Sequence, residues 1–153
     1  MDFLIRPMEE RDIDEVESIE KKTFSVPWSA TSFLDASQKS DNIYLVCEIE
    51  GSIAGYCGVW TVLGEGNITN VAVAENFRRR GVARSLFDEM ERQARAKAVD
   101  IFFLEVRTSN EAARKLYESL GYKQIGIRKR FYERPVEDAI VMSKMYNKTQ
   151  REE

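Results

Sequence analysis

A strand, an amphipathic helix and a second strand follow one another between Ile68 and Val106, and few architectures accept that order. Ile68 to Val73 is a mostly apolar run rich in β-branched residues. From about Arg80 to Ala98, the residues Val82, Leu86, Met90 and Ala94 recur at four-residue intervals and mark one buried helical face. Ile101-Phe102-Phe103-Leu104 is then continuously apolar, as expected of a parallel strand covered on both faces. Together they predict a right-handed βαβ crossover over 68–106.

The handover from strand to helix, N-V-A-V-A-E-N-F-R-R-R-G-V-A at 70–83, also carries chemistry. A helix starting near Arg80 leaves its first backbone N–H groups without partners, beside Arg78, Arg79, Arg80 and Arg84. Such a helix start suits a phosphate-bearing ligand, and a cofactor pyrophosphate is the expected one. The plain alternative is a solvated charge run. Arginines at a helix N-terminus oppose the helix dipole, however, and a bound pyrophosphate would remove that cost.

The rest of the chain supplies strands and helices around this unit. Phe3-Leu4-Ile5 opens a strand, and 9–22 reads as an acidic helix with Ile13, Val16 and Ile19 inward. A second helix begins at Trp28 or Ser29, after Pro27. Asn42–Ile49 and Ile53–Val62 flank Glu50-Gly51 as a hairpin. Asn110 caps a helix through Leu116 and Tyr117 that ends at Gly121, and strands near 122–130 and 137–145 close the fold. One domain over 1–146 is expected, with a polar tail at 147–153.

Composition narrows the chemistry. The chain has 153 residues, a formal net charge of −3 and no histidine, so acid–base work falls to Glu, Asp, Tyr, Lys or water. The commonest zinc ligand is also missing, and no metal is expected. Cys47 and Cys57 read as buried small hydrophobes in neighbouring strands. The small basic patch suits a phosphorylated small molecule rather than a duplex. Nothing in the sequence reads as a membrane span or secretory leader, so a cytoplasmic protein is expected. The oligomeric state is left open, with a monomer slightly favoured.

The R-R-R-G-V-A segment at 78–83 resembles the Q/R-x-x-G-x-G/A acetyl-coenzyme A motif of the GNAT N-acetyltransferases. Four further segments are similar to the RimI-type ribosomal-protein-alanine acetyltransferases: F-S-V-P-W-S at 24–29, L-E-V-R-T-S-N at 104–110, L-Y-E-S-L-G-Y at 116–122 and V-E-D-A at 136–139. Ala83 stands where many members carry Gly, and Phe131 where relatives often carry Tyr. The resemblance implies an α/β (α+β) GNAT fold, with a mixed sheet of about seven strands flanked by about four helices.

The same resemblance implies the site. Acetyl-coenzyme A would lie against the backbone of Val71, Ala72 and Val73, the loop Arg78, Arg79, Arg80, Gly81, Val82, Ala83 and Arg84, and Asn110. Glu105 would be the general base and Tyr117 the general acid, with Trp28, Tyr132, Glu137 and Asp138 toward the acceptor. Glu133, Glu137 and Asp138 would also give a basic peptide acidic neighbours. The implied reaction is direct acetyl transfer to a protein N-terminal α-amino group, that of alanine on small-subunit ribosomal protein eighteen. Alternatives are a lysine or small-molecule amine acceptor, or a non-catalytic acetyl-coenzyme A sensor. For Glu105 alone, the plain alternative is an ion pair with Arg107.

Overall fold

A computed structural model describes residues 3–147, so the tail expected at 147–153 lies outside the described residues apart from Asn147. The strands are β1 (Leu4–Pro7), β2 (Asn42–Ile49), β3 (Ser52–Val62), β4 (Glu65–Val73), β5 (Ile101–Arg107), β6 (Lys123–Tyr132) and β7 (Glu137–Met145). The helices are α1 (Ile13–Thr23), α2 (Ala30–Ser37), α3 (Val82–Ala96) and α4 (Glu111–Ser119). All seven strands join one sheet in the order β1-β2-β3-β4-β5-β7-β6. Every neighbouring pair is antiparallel except β4–β5, the parallel pair that α3 connects. Among the described residues, no helix is long and apolar enough to cross a membrane.

Both faces of the sheet are covered. In β2, Leu45 and Cys47 point to a core shared with Val82, Leu86, Met90 and Ala94 of α3. Tyr44 and Val46 point the other way, to a second core with Ile13, Val16 and Ile19 of α1 and Phe33 of α2. The period-two alternation of a strand thus meets the 3.6-residue period of a helix on each side. Full burial of side chains such as Leu86 and Met90 is worth about 1.5–3 kcal/mol each. Cys47 and Cys57 are fully buried in β2 and β3, as their sequence context suggests.

Two expectations need correction. α3 begins at Val82, two residues later than Arg80, because Arg79 (φ 64°) and Gly81 (φ 82°) are both left-handed and the helix cannot start before them. β5 is not covered on both faces: Phe102, Leu104 and Val106 are buried, whereas Phe103, Glu105 and Arg107 are only half-buried. Among the described residues, the core under α1 and α2 takes side chains from β2, β3 and β4 and none from β5. A second irregularity lies in β4. Gly58 pairs with Asn70 and Val59 with Ile68, so Thr69 is an extra residue in the strand. This β-bulge bends β4, and its pairing with β5 stops at Asn67 opposite Phe103.

Gly55 of β3 is needed where α3 settles on the sheet. A Cβ there would lie 2.8 Å from the Ala72 carbonyl oxygen and 3.1 Å from Val82 Cγ1. The backbone oxygen cannot rotate away, so Gly55→Ala is expected to destabilise the protein by about 1–3 kcal/mol. Thermal unfolding followed by circular dichroism checks this; an unchanged midpoint would mean that α3 can lift off β3 at no cost.

Candidate active site

Beyond Asn67 and Phe103 the two parallel strands continue apart, β4 to Val73 and β5 to Arg107. The gap opens at the carboxyl ends of parallel strands, where ligands gather in open α/β sheets. Because β4 and β5 have parted, the edge of 68–73 that faces β5 has no strand partner among the described residues. Among its main-chain groups, the Val73 carbonyl accepts from Arg78 Nε at 3.1 Å. The bulge also turns Asn70 and Ala72 toward the α1 side, leaving Val71 and Val73 against the α3 core.

The loop after β4 brings the start of α3 to this same end. A short 3-10 turn, Glu75–Phe77, leads into Arg78 and the left-handed pair Arg79 and Gly81. Ser85 N is the first to close an α-helical bond, onto the Gly81 carbonyl. No side chain among the described residues caps the helix, which leaves its leading N–H groups open beside exposed arginines. Alternating handedness of this kind aims successive N–H groups into one concavity, and such concavities favour anions. Arg80 lies over the Phe77 ring at 5.6 Å, and Arg84 donates to Ser119 Oγ at 3.2 Å, tying α3 to α4. Val82 and Ala83 are buried and contribute backbone alone.

From β5 and α4 come the two side chains that the family resemblance singles out for acid–base work, Glu105 and Tyr117. Glu105 is half-buried, and neither its carboxylate nor the Tyr117 hydroxyl has a hydrogen-bond partner among the described residues. The ion pair between Glu105 and Arg107 does not form, because Arg107 is committed to Glu137 at 3.2 Å and to the loop beyond β6. Tyr117 packs on Phe87 and Tyr122 at centroid distances of 5.7 and 6.5 Å, and burial pushes its hydroxyl up to about 12. The Tyr132 hydroxyl lies above the ordinary phenol range, through burial first and then through the nearby charge of Glu105. Tyr117 also contributes to that shift, so Glu105, Tyr117 and Tyr132 share one neighbourhood. Asn110 is an N-cap, its Oδ1 accepting from Ala113 N at 3.1 Å.

The cysteines stand apart from this chemistry: burial alone pushes the Cys47 thiol up to about 11, and burial likewise raises Cys57. A thiol held protonated in a core is a poor nucleophile.

On the far side of the gap stands the loop between α1 and α2. Trp28 packs on Phe33, Tyr44 and Trp60 at 5.3, 6.4 and 6.2 Å. Its backbone N–H donates to Glu20 at 3.0 Å, and Ala30 N donates to Glu17 at 2.6 Å. Glu20 is buried and also accepts from Tyr56 Oη at 2.6 Å; burial raises its carboxyl above the usual range. The acidic composition of 9–22 does not announce this support. The clue is that Glu20 follows Ile19 on the inward side of the Ile13, Val16, Ile19 stripe.

The acidic residues beyond β6 are spent locally. Glu137 accepts from Ser109 N at 2.6 Å and Thr108 Oγ1 at 2.9 Å, and its carboxyl is lowered to about 2, chiefly by hydrogen bonds from Ser109. Asp138 accepts from Arg130 N at 2.9 Å. Glu133 contributes its carbonyl to Arg107, and its side chain is exposed.

Residues 13–122 match the model of the acetyltransferase (GNAT) family. A putative ribosomal protein bS18-alanine N-acetyltransferase of Bacillus subtilis is 37% identical over 139 residues, which is 90% of this chain and 92% of the relative. The ribosomal protein bS18-alanine N-acetyltransferase of Escherichia coli K12 is 34% identical over 143 residues, covering 91% and 95%. The crystal structure of the Escherichia coli ribosomal-protein-S18-alanine N-acetyltransferase superposes with a TM-score of 0.87, at 30% identity and 95% coverage of both chains.

Proposed function

The chain belongs to the GNAT family of acetyltransferases, and on that footing we propose that it acetylates a protein N-terminal α-amino group, that of alanine on ribosomal protein bS18. The observation that carries this reading is that the likeness to the bS18-alanine acetyltransferases covers 90% or more of both chains. It therefore includes the α1–α2 loop and the β6–β7 segment, and is not confined to the cofactor loop. Residues 1–146 act as a single catalytic domain, working in the cytoplasm on a protein acceptor.

Acetyl-coenzyme A, the acetyl donor of the family, binds with its pyrophosphate on the N–H groups at 80–84. Its thioester lies in the gap between β4 and β5. Arg78 and Arg80 add positive charge, and Asn110 fixes the start of α4 beside the donor. The acceptor enters between Trp28 and Tyr132. Glu137 and Asp138 shape that entrance through the bonds that already occupy them, which supports a structural part for both in place of direct peptide contact.

The amine must be neutral to attack. An α-amino group of pKa about 7.7–8.0 is neutral for roughly a tenth of the time at pH 7, and a lysine near 10.4 for well under one part in a thousand. Glu105, with no competing partner, accepts the proton that the nitrogen loses as the C–N bond forms. Backbone N–H groups near Val71 hold the oxyanion. Tyr117 directs its hydroxyl hydrogen to the sulfur as the C–S bond breaks. The acetyl group passes straight to nitrogen, a route supported by two cysteines too buried and too basic to be nucleophiles.

The test is mass spectrometry after incubation with acetyl-coenzyme A and either an alanine-initiated, arginine-rich peptide or the same peptide with a blocked N-terminus and an internal lysine. A single added acetyl group on the α-nitrogen of the first peptide is the expected product. Modification of lysine alone would reject the acceptor assignment while keeping the enzyme class.

A further inference from the structure

Two segments frame the gap on the acceptor side, the α1–α2 loop at 24–29 and the β6–β7 loop at 133–136. They come from opposite ends of the sheet order, and one side chain bonds to both. Arg107 Nη2 donates to Ser25 Oγ at 3.3 Å and to the Glu133 carbonyl at 2.7 Å. Its Nη1 donates to the Pro135 carbonyl at 2.9 Å and to Glu137 Oε1 at 3.2 Å. The guanidinium also lies over the Tyr132 ring, 4.5 Å from its centroid. Glu137 closes the circuit onto Thr108 and Ser109, which directly follow β5.

We infer that Arg107 is the positioning residue of the acceptor cleft. It holds the 24–29 loop, the 133–136 loop and the Tyr132 ring at a set separation, two residues along β5 from Glu105. The inference rests on the acceptor reading above, and extends it from which groups react to what sets the width of the entrance. Only a planar fork with several donors can bond two carbonyls, a hydroxyl and a carboxylate at once. By keeping the guanidinium pointed outward, the same bonds leave the Glu105 carboxylate unpaired.

A lysine at this position would keep the charge and one bond to Glu137, and would lose the bridge. The experiment compares wild type with Arg107→Lys, Arg107→Gln and Ser25→Ala on whichever peptide amine, terminal or lysine, the wild type acetylates. For Arg107→Lys the expected result is an acceptor KM raised about tenfold to a hundredfold, the scale of a misplaced substrate. The Kd for acetyl-coenzyme A, measured by calorimetry, should stay within about twofold, because Arg107 lies outside the 78–84 loop. Ser25→Ala removes the bond between loops alone and should raise the acceptor KM by a smaller factor without changing the melting temperature.

An acceptor KM unchanged in both Arg107→Lys and Ser25→Ala would overturn the inference. So would a parallel weakening of acetyl-coenzyme A binding, the mark of general loss of structure. If the wild type acetylates no peptide amine, the acceptor reading itself fails and this inference falls with it. Lysine-only acetylation would reject the N-terminal assignment and leave the Arg107 comparison valid.

Discussion

Glu105→Gln is expected to lower kcat by about 10²–10⁴-fold, the range for loss of a positioned general base. Gln has the shape of Glu and differs in having no basic oxygen to take the amine proton. The substitution is unusually clean here, because the Glu105 carboxylate has no hydrogen-bond partner among the described residues for the amide to disturb. Stability and acetyl-coenzyme A affinity should therefore stay near wild type, and the whole deficit should fall on turnover. Steady-state kinetics with a saturating peptide, together with a melting curve, measures both. The deficit should shrink as pH rises past about 8, where an α-amino group supplies its own neutral form. Wild-type turnover in the Gln variant at pH 7 would remove Glu105 from the mechanism.

That clean arrangement was only half legible in the sequence. Glu105 at the end of an apolar strand announces itself, but so does Arg107, two residues on along the same strand face. A local pair is the natural reading of that spacing. The guanidinium instead reaches Glu137, thirty residues away in sequence, and the carbonyls beyond β6. Nothing in local pattern reports a contact of that range. The crossover, the Glu50-Gly51 hairpin and the Asn110 cap were legible because each depends on neighbours in the chain.

The parting of β4 and β5 was not legible for a related reason. It follows from one extra residue, Thr69, inside a run whose composition suits a regular strand. A bulge shifts the register without changing the propensities that a sequence displays. Burial does not betray it either, because Gly66, Ile68, Asn70 and Ala72 are buried in unbroken alternation along β4. The start of α3 is similar: charge and amphipathicity point to Arg80, and the two left-handed residues move it to Val82.

Tyr117→Phe is expected to lower kcat by about 10²–10³-fold, the cost of removing one donor aimed at developing charge. Phe keeps the ring contacts with Phe87 and Tyr122, so the fold and acetyl-coenzyme A affinity should change little. The hydroxyl, pushed up to about 12 by burial, stays protonated throughout any practical assay. Transfer of its proton to a thiolate whose thiol has a pKa of about 8.5 would run uphill by roughly 5 kcal/mol. In the proposed mechanism Tyr117 is therefore a hydrogen-bond donor to the departing sulfur, with the proton shared and not surrendered. The pH profile tests the distinction. Because deprotonation lies above the working range, wild-type kcat should show no descending limb from this group up to about pH 10. A descending limb near pH 9 that vanished in Tyr117→Phe would mean that the tyrosine titrates as a full acid. Unchanged kcat in the Phe variant would reduce it to a packing residue between α3 and α4.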